Sequence, residues 1–310
     1  MSQAESRAAV VAALAANVGI AIAKVIGFIV TGSASMLAEA GHSAADSGNQ
    51  GVLLFGQSRS ERTADEAHPF GFARERFFSA FVVAVILFTA GAGFAAREGY
   101  DKLAHPHEVE SPIVAIVILL VAMGLETFSL RTAVRAANQV REGRGWWRFI
   151  RESKAADLNV VLLEDTAALV GLILAFLGVL LAAITGDGAW DGAGTIAIAV
   201  LLAVVAAVLA VETKSLLIGE AASPQEIAEI RRALTAGDVL ESVVHLRTEH
   251  RGPDEILVAA KVAVAGGTPS GEVARAIDEA EARIRAALPA ARYIFIEPDL
   301  RRTTSAEESS

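Results

Sequence analysis

The sequence contains no cysteine among its 310 residues. Disulfides and thiolate metal sites are therefore excluded, and a bound metal would need His, Asp, Glu, backbone or water as ligands. Positive charge is scarce: 27 Lys and Arg stand against 36 Asp and Glu, for a formal net charge of −9. This balance gives no support for a nucleic-acid partner. The protease and hydrolase motifs HExxH and GxSxG are absent as well.

Apolar residues are abundant, at 53% of the chain with a mean hydropathy of +0.46. This composition is too apolar for a soluble domain of this size and predicts a protein that crosses a membrane several times. The first apolar run is too long for a cleavable signal peptide and lacks a clear cleavage site. We predict six spans of about 20 residues or more, numbered 1 to 6: Ala8–Val30, Ser33–Gly56, Phe77–Ala96, Ile113–Val134, Leu158–Ile184 and Gly192–Leu217.

Basic residues are distributed unevenly among the loops. The second and fourth connections are rich in Arg, the first and fifth contain neither Lys nor Arg, and the third contains only two basic residues. The positive-inside rule then predicts that the second and fourth loops and both termini are cytoplasmic. We expect an integral protein of a bacterial inner, or plasma, membrane.

The composition changes near residue 220, where charges become frequent and apolar runs shorten. The order of helix, strand, strand, helix and strand (αββαβ) predicts a small open-faced α+β domain of the ferredoxin or metallochaperone-like kind. We therefore predict an all-α six-helix transmembrane domain at 1–219, a cytoplasmic domain at 220–300 and a disordered tail at 301–310. The expected elements are a helix from Ser223-Pro224, strands Val239–Glu249 and Glu255–Val264, a helix marked by Val273 and Leu288, and a short strand Tyr293–Ile296 stopped by Pro298.

Span 2 carries polar residues inside an otherwise apolar run. His42, Asp46 and Asn49 are spaced i, i+4 and i+7, which places all three on one helical face. A carboxylate near the bilayer centre is costly unless it is compensated. A divalent cation would compensate it, and imidazole with carboxylate suits zinc and its neighbours. The alternative is a polar seam between packed helices, neutralised by a proton or a buried base.

Span 5 carries two adjacent acids, Glu164 and Asp165, which packing alone does not explain. Asp165 lies within about two helical turns of the bilayer middle, so it could meet Asp46 at a similar depth. His42, Asp46, Asp165 and one further group would then make a four-coordinate site. Glu164 points about 100° away from Asp165, so both can be ligands only if the helix is rotated or distorted.

Two further places hold weaker candidates. Glu126 in span 4 lies at a depth close to that of Asp46, where it could carry protons, support the site or make a structural hydrogen bond. In the second loop, Asp65 and His68 could bind a metal near the membrane surface. The alternative for this loop is a purely structural segment, anchored by its Pro-Phe-Gly turn and Arg74.

Together, the six spans, the polar face of span 2, the loop ADEAHPFGFARER and the C-terminal α+β domain resemble the cation diffusion facilitator family. The HxxxD pattern at His42 and Asp46 resembles the metal motif of that family. The stretch VLLEDTAAL is most similar to the branch with mitochondrial zinc-transporter relatives. The resemblance implies export of divalent cations, usually zinc, in exchange for protons, by a homodimer in contact through its C-terminal domains. It implies no prosthetic group.

Three positions depart from the family pattern. Val161 stands where a second HxxxD motif would have its His, which leaves Glu164, Glu126 or water as the fourth ligand. Phe72 replaces a His of the loop signature, and Phe295 replaces a His in the last strand. The change at Phe72 weakens the prediction of a surface metal site in the loop. The change at Phe295 indicates that a metal site between C-terminal domains is degraded or absent.

The leading hypothesis is a proton-coupled zinc exporter that takes metal ions from the cytoplasm. A second hypothesis keeps the transport but changes the substrate to Fe²⁺, Mn²⁺ or Co²⁺, because losing an imidazole makes the site richer in oxygen. A membrane-embedded metalloenzyme is a different class, and the missing protease motifs speak against it. A structural membrane protein would not explain acids at mid-membrane depth on two helices.

Overall fold

The computed structural model describes residues 11, 14–15, 18–26, 29, 34–106, 111–141, 143, 145–152 and 156–300. The described residues between 11 and 29, where span 1 is predicted, are helical. The side chains of His42 and Asp46 lie outside the described part, although both belong to a described helix. The predicted tail 301–310 also lies outside it. The chain divides into two compact units, Met1–Lys214 and Ser215–Ser310.

The first unit is helical throughout its described secondary structure. Among the described residues, four helices are long and apolar enough to cross a membrane, and they correspond to spans 3 to 6. The helix of span 2 is not among these four, since polar residues occupy its middle. The count of six spans therefore stays a prediction. The helices are Ala34–Ser60 in span 2, Glu75–Ala104 in span 3, Pro112–Arg141 in span 4, Trp146–Glu152 in the fourth loop, Ala156–Thr185 in span 5 and Ala189–Ile218 in span 6.

Span 3 contains a π-helical segment, Leu87–Ala92, between its two α-helical parts. The hydroxyl of Thr89 donates to the carbonyl of Val85 at 2.8 Å within this stretch. Such a segment changes the face that the following turns present to neighbouring helices. Beyond it, the Nζ of Lys102 lies 2.8 Å from Oδ2 of Asp191, which ties the end of span 3 to the start of span 6.

Small residues bring some spans very close together. A Cβ added to Gly56 in span 2 would overlap the side chain of Ser79 in span 3. A Cβ on Gly178 in span 5 would lie 3.1 Å from the carbonyl oxygen of Trp190 in span 6. Close packing through glycine is common between membrane helices, where dispersion forces must hold the bundle together.

The second unit is an αββαβ domain, which confirms the predicted order of elements. In its sheet, the central strand β2 (Glu255–Val264) pairs antiparallel with β1 (Leu240–Gly252) and parallel with β3 (Ala291–Leu300). Its core is made of buried aliphatic side chains from both helices and the sheet, including Ile230, Leu234, Ile256, Val258 and Ile284. The elements are helix Pro224–Leu234, β1 Leu240–Gly252, β2 Glu255–Val264, helix Ser270–Ala287 and β3 Ala291–Leu300.

The ends of these elements correct two predicted boundaries. The first helix begins as predicted, because Ser223 and Glu226 form a reciprocal capping box with Pro224 in the first turn. The last strand does not stop before Pro298, however, but continues to Leu300. The sheet tolerates this proline because β3 is an edge strand. Strand β1 likewise extends beyond the predicted Glu249 to Gly252.

Candidate metal transport site

Glu164 is the member of the adjacent acid pair in span 5 that contacts span 2. Its Oε1 accepts a hydrogen bond from Nδ2 of Asn49 at 2.7 Å, and its Oε2 accepts one from Nε2 of Gln50 at 3.1 Å. All three side chains are buried. Asn49 belongs to the face that the sequence predicts for His42 and Asp46, so Glu164 lies against the polar part of span 2.

Asp165 faces a different neighbour, span 4. Its Oδ2 accepts a hydrogen bond from the hydroxyl of Ser129 at 2.8 Å, and both residues are buried. Glu126 is buried as well and lies one helical turn before Ser129 on the same side of span 4. The adjacent acids of span 5 therefore diverge, as the 100° rotation between neighbouring helical residues requires.

A buried lysine contacts span 2 beside its predicted ligands. The Nζ of Lys24 in span 1 donates to the hydroxyl of Ser43 at 2.9 Å, and both residues are 3% exposed. Ser43 follows His42 directly in the helix. The region of span 2 that carries the predicted ligands thus has polar contacts with span 1 and span 5.

A buried ion pair lies nearer the predicted cytoplasmic end of span 5. The Nη2 of Arg76 in span 3 donates to both carboxylate oxygens of Asp157 at 2.8 Å. Gln57 in span 2 adds a hydrogen bond from its Nε2 to Oδ2 of Asp157 at 3.1 Å. The sequence suggests a loop arginine at position 76, but the structure places it in the first turn of span 3, where the carboxylate offsets the cost of burying its charge.

The second loop brings its two candidate ligands together. Nδ1 of His68 lies 3.1 Å from Oδ1 of Asp65, and the backbone N–H of His68 donates to the same oxygen at 2.7 Å. This backbone hydrogen bond is the main reason why the pKa of Asp65 is lowered. The ring of His68 also stacks on Phe72, with centroids 4.4 Å apart. These contacts order the loop while leaving both residues about half exposed.

No group of three or more His, Asp or Glu residues with metal-binding geometry occurs among the residues that the structure describes. That description leaves out the side chains of His42 and Asp46. The complete set of His42, Asp46, Asp165 and Glu164, with Glu126, Asp65 and His68 as secondary candidates, therefore stays a prediction.

Sequence reasoning missed several residues of this region. Gln50 is an amide inside an apolar run and directly follows Asn49, which was a usable signal. Ser129 was detectable only through its i+3 spacing from Glu126. The pairing of Arg76 with Asp157 had no local signal, because the two residues are 81 positions apart.

Comparison with known proteins identifies the family. The model of the cation efflux transmembrane domain matches residues 10–218, and that of the cation efflux protein cytoplasmic domain matches residues 222–299. The chain belongs to the cation efflux family. This result confirms the resemblance to the cation diffusion facilitators that the motifs indicate, and with it a membrane protein of the transporter class.

Individual relatives agree with this membership. The chain is 33% identical to the mitochondrial proton-coupled zinc antiporter SLC30A9 of Mus musculus over 241 residues, which are 77% of this chain and 42% of that protein. It is 29% identical to metal tolerance protein C4 of Arabidopsis thaliana over 229 residues, or 73% of this chain and 50% of that protein. The chain thus spans half or less of the length of these relatives. Because the mammalian relative is mitochondrial, the comparisons do not support the expected bacterial membrane.

Proposed function

We propose that this cation efflux family member is a secondary transporter that exports divalent cations, Zn²⁺ first among them, in exchange for protons. The observation that carries this proposal is the pair of buried acids in span 5. Glu164 contacts span 2 and Asp165 contacts span 4, so span 5 places one buried carboxylate against each of these helices. Buried acids at such a depth are expected where ions or protons pass.

The substrate site would combine His42 and Asp46 of span 2 with Asp165 of span 5, and Glu164 or water would complete it. Metal and protons compete for such a site, because the ligands bind metal only when they are deprotonated. Movement of helices around the site would expose it first to the cytoplasm and then to the other side. The names of the SLC30A9 relatives, which describe proton-coupled zinc antiporters, support this mechanism.

The proposal includes a membrane orientation and a dimeric assembly. The distribution of Lys and Arg supports cytoplasmic termini, with the second and fourth loops on the cytoplasmic side. The match to the cytoplasmic domain of cation efflux proteins supports a homodimer joined through residues 220–300. Phe295 is exposed on the edge strand, and we propose that this domain mainly holds the dimer together rather than senses metal.

A second substrate class, Mn²⁺, Fe²⁺ or Co²⁺, is favoured by one observation. The described contacts around Glu164 and Asp165 come from amide and hydroxyl side chains, and Val161 stands at the position of a second histidine. Oxygen-rich surroundings suit harder cations than zinc.

Transport by the purified protein in proteoliposomes tests both substrates. With an imposed pH gradient and a panel of divalent ions, we expect Zn²⁺ uptake that depends on the gradient. Asp46→Ala and Asp165→Ala should each abolish uptake while the protein keeps its oligomeric state in size-exclusion chromatography. Wild-type uptake rates in either variant would refute the assignment of Asp46 and Asp165 to the substrate site. Uptake that does not depend on the pH gradient would refute proton exchange.

A further inference from the structure

Two buried amide oxygens of span 2 have no hydrogen-bond donor within the part of the chain that the structure describes. Asn49 and Gln50 are 1% and 0% exposed, and each directs its amide nitrogen to the Glu164 carboxylate. Among the described residues, Oδ1 of Asn49 and Oε1 of Gln50 find no hydrogen-bond partner. A buried acceptor without a partner is unfavourable, and its presence in a native site calls for a bound ion or water.

The chemistry of these groups suits a cation. Each of these oxygens is bonded to the same carbon as a nitrogen that donates to Glu164, so both oxygens lie within one amide group of the carboxylate. A 180° rotation of either side-chain amide places its oxygen, instead of its nitrogen, at the carboxylate. Two amide oxygens and a carboxylate would then face one another, and these are the ligands that harder divalent cations prefer.

We propose that Asn49, Gln50 and Glu164 form a second cation site built from oxygen ligands, beside the predicted site of His42, Asp46 and Asp165. In this assignment Glu164 belongs to the second site, and water completes the first. A divalent cation would satisfy both amide oxygens and the carboxylate at once. It would displace the two N–H donors that hold the carboxylate in the structure described here.

The location of this second site gives it a place on the transport route. Asn49 and Gln50 follow Asp46 by three and four residues, which places them about 4.5–6 Å further along span 2. In the orientation given under the proposed function, on which this step rests, that direction leads to the cytoplasm. An exported ion would therefore meet the oxygen ligands of the second site before it reaches His42 and Asp46.

Replacement of Asn49 distinguishes a cation site from a structural clamp. If the amide only donates to Glu164, then Asn49→Asp should reduce cation binding at least as much as Asn49→Leu. The reason is that Asn49→Asp removes the donor and places a second carboxylate against Glu164. If the amide oxygen binds a cation, Asn49→Asp keeps an oxygen ligand and adds negative charge. Cation binding should then be retained or tightened in Asn49→Asp and lost in Asn49→Leu.

The experiment measures Mn²⁺ binding to the full-length protein in detergent, using the electron paramagnetic resonance signal of free Mn²⁺. An Asp46→Ala background removes the predicted first site. In this background we expect one Mn²⁺ site whose Kd rises at least about tenfold with Asn49→Leu or Gln50→Met. Gln57→Leu is the matched control, because Gln57 also donates from span 2 to an acid of span 5, but to one paired with Arg76. It should leave Mn²⁺ binding unchanged.

The outcomes separate this inference from the proposed function. The second site would be overturned if Asn49→Leu and Gln50→Met left Mn²⁺ binding unchanged in the Asp46→Ala background. It would also be overturned if Asn49→Asp and Asn49→Leu weakened Mn²⁺ binding equally. If Asn49→Leu does not fold, Asn49→Asp and Gln50→Met still test the site: we expect Mn²⁺ binding to be retained in Asn49→Asp and weakened in Gln50→Met. Binding that depends on Asn49 in a protein without transport activity would support the second site and refute only the exporter.

Discussion

Amide side chains of span 2 donate hydrogen bonds to two acids of span 5, and the two acids differ in their other partners. Gln50 donates to Glu164, and Gln57, seven residues later, donates to Asp157, seven residues earlier. The two contacts thus lie two turns, or about 10 Å, apart along the same pair of antiparallel helices. Asp157 also accepts two hydrogen bonds from Arg76, whereas Glu164 also accepts one from the amide of Asn49.

This difference separates a structural acid from an exchangeable one. A guanidinium carries a permanent charge, so Asp157 is neutralised within the protein and gains little from a metal ion. Amides are neutral donors that can turn to offer oxygen, so Glu164 can exchange them for a cation. Burial alone therefore does not identify an acid that takes part in transport. Whether its hydrogen-bond partner is charged or neutral separates the two kinds of acid better.

Breaking the ion pair should give the largest effect. Arg76→Leu leaves Asp157 as a buried charge without its guanidinium, so we expect a loss of about 3–5 kcal/mol in the free energy of unfolding. The double variant Arg76→Leu/Asp157→Leu should recover most of this loss, because it buries no charge. Denaturant unfolding in mixed micelles measures all three proteins.

The control for the ion pair is the more exposed contact of Arg59 with Glu75, at 3.4 Å. Arg59→Leu should cost less than about 1 kcal/mol, as surface ion pairs do. If Arg76→Leu costs no more than Arg59→Leu, the Asp157 contact is not a structural anchor and the comparison with Glu164 fails.

Ser129 tests the other acid of span 5. Its hydroxyl orients Asp165, and loss of a residue that orients a metal ligand typically weakens affinity by about 10–100-fold. We expect Ser129→Ala to weaken Zn²⁺ binding within this range, with recovery in Ser129→Thr, which keeps the hydroxyl. Calorimetric titration of the purified variants measures the Kd, and an unchanged Kd in Ser129→Ala would mean that Asp165 is not a ligand.

Much of the fold was predictable because it depends on local patterns. The helices of spans 3 to 6 follow from long apolar runs, and the helix from Ser223 follows from its capping box. The end of β3 was not predictable, because the strand accepts Pro298 only at the edge of the sheet. The π-helical segment Leu87–Ala92 has no signature in the apolar sequence of span 3.

The candidate site was predictable in its residue types but not in its contacts. Acids inside apolar runs identify Glu164 and Asp165 from sequence, because burying a carboxylate is costly. Their partners depend on which helices pack together and on rotation about each helix axis. Helical spacing gives the angle between the two acids but does not reveal that Glu164 faces span 2 while Asp165 faces Ser129.

The position of the missing imidazole should have a moderate effect. Val161 is buried one turn before Asp165, at i−4 in span 5. Val161→His would add a nitrogen ligand, which favours zinc over manganese. We expect the Zn²⁺/Mn²⁺ transport ratio to rise by about tenfold, the lower end of effects seen around metal sites. In Glu164→Gln, loss of an oxygen ligand should weaken Mn²⁺ binding more than Zn²⁺ binding. An unchanged ratio in Val161→His would reject the alignment of span 5 with the family motif.

The smallest effect is expected at Asp65, an acid of the second loop that is exposed rather than buried. Hydrogen bonds from His68, chiefly from its backbone N–H, lower the pKa of Asp65. A carboxyl whose pKa is lower in the folded protein stabilises it above the unfolded pKa, and the benefit is lost as pH falls through the folded value. The protection factors of backbone hydrogen exchange in residues 61–74, which correct for the intrinsic pH dependence of exchange, should therefore be highest at neutral pH and fall in acid.

Two variants identify the cause of this acid sensitivity. Asp65→Asn removes the titrating charge, so exchange in the loop should lose this pH dependence. His68→Gln keeps the backbone N–H and should retain most of it, because that hydrogen bond is the largest cause of the pKa shift. If His68→Gln abolished the pH dependence as fully as Asp65→Asn, the imidazole ring rather than the backbone would hold the carboxylate. The loop would then depend on a side-chain pair, as the first turn of span 3 does through Arg76 and Asp157.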